Sequence, residues 1–134
     1  MNDDINQSKQ ALVFVYNSDS GLFNTLTDIG HKIFSPETYQ CNLCALTYST
    51  FRIRQKWKQF LETLEQRTEF IHADELKVHY GISDVPLPAI FQKEAEGLTL
   101  WIEKYEINAC STVDDLKRLI RNKCFDDANR KALL

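Results

Sequence analysis

In the stretch "YQCNLCALTY", Cys41 and Cys44 stand two residues apart. That spacing lets both sulfurs turn toward one point, which suits either a disulfide or two corners of a tetrahedral metal site. Zinc needs two further ligands, and the chain offers His31, His72, His79, Cys110 and Cys124. The leading expectation is zinc held by His31, Cys41, Cys44 and His72, a set that would pin a long connection onto the core. A loop of roughly 15 residues without structure of its own is uncommon in a compact domain and calls for such an anchor. The second expectation is a redox pair formed by Cys41 and Cys44. The third is two packed thiols beside Leu43, Ala45 and Leu46, since cysteine is among the most buried residue types. Taken singly, His31 and His79 also suit helix C-terminal positions, and His72 suits a half-buried strand position beside Phe70. Cys110 and Cys124 read as structural.

The elements that must position these residues follow from hydrophobic spacing. "ALVFVY" is a short continuous apolar run, as in a strand buried on both faces. Leu22, Phe23, Leu26, Ile29 and Ile33 then share one helical face, with Ser18 or Asp19 as cap and Ser35-Pro36 as stop. The stretch "ETYQCNLCALTYST" has no clean period and reads as an irregular loop. Thr50 is placed to cap a second helix with the stripe Ile53, Trp57, Phe60, Leu61 and Leu64. "TEFIHA" reads as a strand, and "DELKVHYGI" as a short helix stopped by Gly81. "LPAIFQK" and "LTLWIEK" read as strands joined by "EAEG", with Gly97 at positive φ. In "STVDDLKRLIRN", Thr112 and Asp115 form a capping box for a helix that packs through Val113, Leu116, Leu119 and Ile120.

The order strand, helix, helix, strand, helix, hairpin, helix predicts a four-stranded mixed α/β sheet with helices on its faces, the thioredoxin-like arrangement. Residues 1–10 read as a lead-in and 11–124 as one domain. Within it, 34–66 is an insertion carrying the Cys-x-x-Cys and a helix, and 125–134 is a tail.

Two motifs carry a family resemblance. Leu87-Pro88-Ala89-Ile90-Phe91 resembles the segment ahead of the third core strand in thioredoxin-like proteins, which implies that Pro88 is the counterpart of their cis-proline. "YNSDSGLFN" is similar to the "YDGDCGLCN" pattern of the DCC family of thiol–disulfide oxidoreductases. Tyr16, Asp19, Gly21, Leu22 and Asn24 match, whereas Ser20 and Phe23 replace the two cysteines. The resemblance covers residues 11–33 and 67–121. It implies a thioredoxin-like fold whose usual thiol position has no redox chemistry, because neither side chain supplies a thiolate. Any thiol exchange would then fall to the displaced pair Cys41 and Cys44 beside Pro88.

Bulk properties narrow the function classes. At 134 residues the chain suits one domain, and 43% hydrophobic with 26% charged residues is a globular balance. A net charge of −3 offers nucleic acid no long-range attraction. "FRIRQKWK" reads first as a solvated basic helix face, and otherwise as one suited to an acidic partner or a nucleic-acid backbone. The polar "MNDDINQSKQ" lacks the apolar core of a secretory signal, and no apolar run is long enough to cross a membrane, so a cytoplasmic location is expected. Phosphate-binding glycine loops, nucleophile elbows and paired carboxylates do not stand out.

Overall fold

The computed structural model describes residues 11–17, 41–49 and 52–133. Its centre is β1 (Ala11–Tyr16), buried along its whole length. Successive side chains of a strand point to opposite faces, so Leu12, Phe14 and Tyr16 enter one core while Val13 and Val15 enter another. Burial on both faces is why the run reads as continuously apolar.

Strand β4 (Arg67–His72) flanks β1 in parallel, and β5 (Ala89–Glu94) flanks it antiparallel on the other side. Strand β6 (Gly97–Ile102) pairs antiparallel with β5, giving the order β4-β1-β5-β6. The fold is therefore α/β, with a four-stranded mixed sheet and flanking helices, as the hydrophobic pattern predicts. Gly97 takes φ 130° at the hairpin, a conformation that L side chains rarely adopt. The peptide between Leu87 and Pro88, just ahead of β5, is cis.

The first core is covered by α1 (Asn42–Thr47), α2 (Gln55–Glu62), α4 (Lys104–Asn108) and α5 (Val113–Leu133). Trp57 is fully buried there and meets the ring of Phe14 edge-on at 5.6 Å between centroids. Leu116 and Ile120 bring α5 into the same core. The second core is closed by α3 (Ala73–Tyr80) through Leu76, with Ile82, Val85 and Leu87 packed around it. Gly81 ends α3 in the left-handed conformation, φ 71°.

Several boundaries differ from the sequence-based expectation. Helix α2 starts at Gln55, because Ile53 is taken up in a small ladder, β2 (Tyr48–Ser49) against β3 (Arg52–Ile53). Thr50 lies outside the described residues. Leu64 follows α2 instead of belonging to it. The short α4 was not expected, since five residues carry too little periodicity to announce a helix. The expected cap of α5 is present in both directions: Thr112 Oγ1 accepts from Asp115 N, and Asp115 Oδ2 accepts from Thr112 N, each at 3.2 Å. The helix continues through residues read as a tail, so Cys124 lies within it and not after it. The helix expected over residues 18–35, with Ser20, Phe23 and His31, lies outside the described residues. Among the described residues, no helix is long and apolar enough to cross a membrane.

Candidate functional site

The Cys-x-x-Cys does not sit in an irregular loop. It opens α1, with Cys41 as the N-cap in extended conformation (φ −136°, ψ 95°). Six residues are too few to show a helical period, and Leu43, Cys44, Leu46 and Thr47 are buried on several sides, which erases the polar face that would reveal one. Asn42, between the cysteines, anchors the helix: its Nδ2 donates to the carbonyls of Ile107 at 2.8 Å and Cys110 at 3.1 Å. These acceptors lie at the end of α4, so the motif is tied to the chain that follows β6.

The thiols converge at the C-terminal end of β1. Cys44 Sγ lies 2.6 Å from Cys41 Sγ. Cys41 Sγ also accepts from the backbone N–H of Cys44 at 3.3 Å and of Asn17, the first residue after β1, at 3.4 Å. Antiparallel pairing sets Val15 opposite Ala89. Pro88 immediately precedes Ala89, so it lies at the end of the sheet where β1 reaches Tyr16 and Asn17. The dithiol, the end of the central strand and Pro88 thus share one end of the sheet, although Cys41 is 24 residues from Asn17 in sequence.

Their surroundings split the two thiols. Burial pushes Cys41 up, but hydrogen bonds from Cys44 Sγ and from the backbone N–H groups of Asn17, Cys44 and Leu43 outweigh it and hold the thiol below its ordinary range. Cys44 is driven the opposite way, first by its hydrogen bond to Cys41, then by burial and by the charge of Cys41. The bond between them thus sets the two thiols apart, Cys41 lowered and Cys44 raised. Only 3% of Cys41 and 2% of Cys44 is exposed, so bulk water hardly reaches the pair.

Two phenols share this buried cluster. Tyr16 is 3% exposed and belongs to the same buried cluster as both cysteines, with Tyr48 packed against that cluster. Their rings meet edge to face at 6.2 Å between centroids. Burial, followed by the neighbouring phenol and thiols, raises Tyr16 well above the usual phenol range; burial raises Tyr48 as well.

The other candidate ligands are placed elsewhere. His72 ends β4 beside Tyr16, their ring centroids 5.6 Å apart, and its Nδ1 faces Glu75 Oε1 at 3.0 Å. Glu75 also accepts from the His72 backbone N–H at 2.8 Å, so this histidine is tied into the start of α3. Among the described residues, no group of three or more His, Cys, Asp or Glu side chains is arranged to hold a metal ion. His31, the ligand expected between β1 and α1, lies outside the described residues. His79 sits in the last turn of α3. Cys110 donates to the Glu106 carbonyl at 3.6 Å, and Cys124 accepts from the Gln66 amide at 3.8 Å; burial raises both thiols. On the basic stretch, Lys56 meets Asp114 at 3.1 Å with both side chains more than half exposed.

Sequence reasoning did not single out Asn42 or Tyr48 as parts of a site, and it named Tyr16 only as a residue of the opening motif. The tyrosines flank segments read as strand and loop, and only the return of the chain to the end of β1 brings them to the thiols. Comparison with protein-family models, characterised proteins and solved structures finds no match for this chain.

Proposed function

We propose that this protein is a thiol–disulfide oxidoreductase of thioredoxin-like build, with Cys41 as the attacking thiol and Cys44 as the resolving one. The observation that carries it is the convergence of the two sulfurs, with Cys41 held by two backbone N–H groups at the end of the central strand. A thiolate is the nucleophile in disulfide exchange, so a lowered Cys41 beside a protonated Cys44 is the asymmetry the reaction needs. Support also comes from the strand order and from Pro88 at the same end of the sheet. With both sulfurs nearly closed off from water, a substrate disulfide gains access only as the surrounding chain opens. A slow, oxidant-responsive dithiol describes such a site better than a fast general reductant.

In the forward cycle, Cys41 thiolate attacks a substrate disulfide and one substrate thiolate leaves. Cys44 then attacks Cys41 Sγ, the internal disulfide forms and the second substrate thiolate leaves. The pair loses two electrons and the substrate disulfide gains them. The reverse sequence reduces the pair.

A second reading, zinc binding, rests on the same convergence of buried sulfurs and requires two further ligands, for which His31 and His72 are the candidates. One experiment separates the two. Full-length protein purified without chelator is analysed for metal, then incubated with glutathione disulfide, quenched with a thiol-blocking reagent and mapped by mass spectrometry. Oxidation of Cys41 to Cys44, reversed by dithiothreitol and lost in Cys41→Ser, is the expected result. Stoichiometric zinc that protects both thiols from the disulfide overturns the oxidoreductase reading in favour of the metal one. A dithiol that carries no metal and resists oxidation overturns both.

A further inference from the structure

The sheet order leaves two edge strands, β4 and β6, and they differ in charge. Strand β4 reads RTEFIH and carries Arg67 and Glu69. Strand β6 reads GLTLWI, with neither a charged side chain nor a proline. Charge and proline are two of the means by which sheet edges are kept from pairing with another chain. A bulge that bends the edge is a third. The register shift of this hairpin falls between Ile90 and Phe91, so Gly97–Leu100 stay in regular register with Phe91–Glu94. Among the described residues, no backbone–backbone hydrogen bond joins β6 to anything but β5. Its side chains alternate between the faces: Leu98 and Leu100 stand opposite Lys93 and Phe91, and Thr99 opposite Gln92 on the other side. Leu100 is 40% exposed, one of the few large apolar side chains so open to solvent, and Gly97 and Thr99 are exposed beside it.

We propose that β6 pairs antiparallel with β6 of a second copy of this chain, about a two-fold axis at Thr99. The order of residues along the strand argues for this occupant, because it is complementary to itself. With Thr99 opposite Thr99, Leu98 of each copy meets Leu100 of the other, so the exposed leucine is covered by a leucine on the same face. On the opposite face the two threonines meet, a favourable cross-strand pair, and Trp101 lies across from Gly97, where an aromatic ring shields the glycine backbone. The Trp101 ring is already fixed for this, since its Nε1 donates to Asp127 at 2.8 Å. Within the strand no charge is set against a like charge. Neighbouring registers lose this match. An axis at Leu98 sets Leu100 against Glu96, and an axis at Leu100 sets Thr99 against the bulky Trp101 and Leu98 against Ile102, beyond the register shift. The contact is isologous and joins two four-stranded sheets into one. It closes at two copies, because each has then used its uncharged edge and presents only β4 outward. This inference is independent of the reading of Cys41 and Cys44.

The test is the mass of the full chain by analytical ultracentrifugation, from micromolar to millimolar concentration, with dithiothreitol present so that no disulfide can join the copies. The wild type is expected at twice the 15.6 kDa of the chain, dissociating on dilution. Thr99→Lys sets two like charges directly opposite each other on the axis and is expected to lose the dimer while keeping the wild-type far-UV circular dichroism. Should that variant not fold, Leu100→Lys, at the same edge, takes its place. The register is read from Thr99→Cys under a mild oxidant, where peptide mapping is expected to find position 99 linked to position 99 of a second copy. A wild type that stays monomeric up to millimolar concentration overturns the proposal. So does a dimer that survives the lysine variants, a Thr99→Cys protein that forms no link between copies at that position, or growth into assemblies larger than two.

Discussion

Cys41 Sγ accepts the backbone N–H of Asn17 at 3.4 Å, joining two points 24 residues apart in the chain. The bond does two things at once. It closes the long connection between β1 and α1 onto the end of the central strand, and it gives a buried sulfur a donor that favours its charged form.

The acidity of Cys41 depends on its neighbour. Burial raises the thiol and the bond from Cys44 Sγ is the foremost of the effects that lower it. In Cys44→Ala that bond is lost while the bulk of the burial stays, so alkylation of Cys41 by iodoacetamide shifts to higher pH than in the wild type. Mass mapping keeps Cys110 and Cys124 out of the count. A midpoint at or below that of the wild type contradicts the assignment.

Alkaline stability depends on the phenols. Tyr16 and Tyr48 have folded pKa values raised by burial, whereas an unfolded tyrosine titrates near about 10. The unfolded state therefore binds fewer protons above that pH, and the slope of stability with pH is negative. The contribution is present in full below about pH 10 and is lost as pH rises toward the folded values. Urea denaturation across this range is expected to show falling stability in the wild type and a shallower fall in Tyr16→Phe.

Asn42 joins the motif to α4 through two carbonyl acceptors, at Ile107 and Cys110. Asn42→Ala leaves both partly buried carbonyls without this donor, and an expected cost of about 1–3 kcal/mol follows from the loss of buried hydrogen bonds. Chemical denaturation measures it. A change inside a few tenths of a kcal/mol would mean that α1 is held by its apolar side chains alone.

Two neighbours on α2 should behave oppositely. Trp57 is fully buried against Phe14 and Phe60, so Trp57→Ala is expected to cost about 3–5 kcal/mol. Lys56 pairs with Asp114 in solvent, their side chains 61% and 51% exposed, and Lys56→Ala is expected to change stability by about 0.5 kcal/mol or less. Thermal or urea melts of the two variants, side by side, check the direction in which α2 faces.

Apolar patterning together with turn, stop and cap residues located β1, β4, α3, the β5–β6 hairpin and the start of α5: β1 is a run buried on both faces, while Gly81, the "EAEG" turn and the Thr112–Asp115 cap marked the others. Gly81 and Gly97 were legible for a local reason: each occupies a positive-φ position that other residues adopt only under strain. The site was legible only as a composition. Cys41 and Cys44 announced that two sulfurs could meet, which is a matter of spacing within one turn. Whether they lay in a loop or opened a helix was not readable, since α1 is six residues long and buried on several sides, without the polar stripe that marks a helix.

What the tertiary structure decided is where that pair stands and what surrounds it. Nothing in local sequence sets Asn17 beside Cys41, Ala89 opposite Val15, or Tyr48 against Tyr16. Those neighbours come from strand register and from the return of α1 to the end of β1. Residue type determines what a side chain can donate, accept or lose. The environment that splits the two thiols arises from chain segments distant in sequence, and exists only once the sheet is assembled.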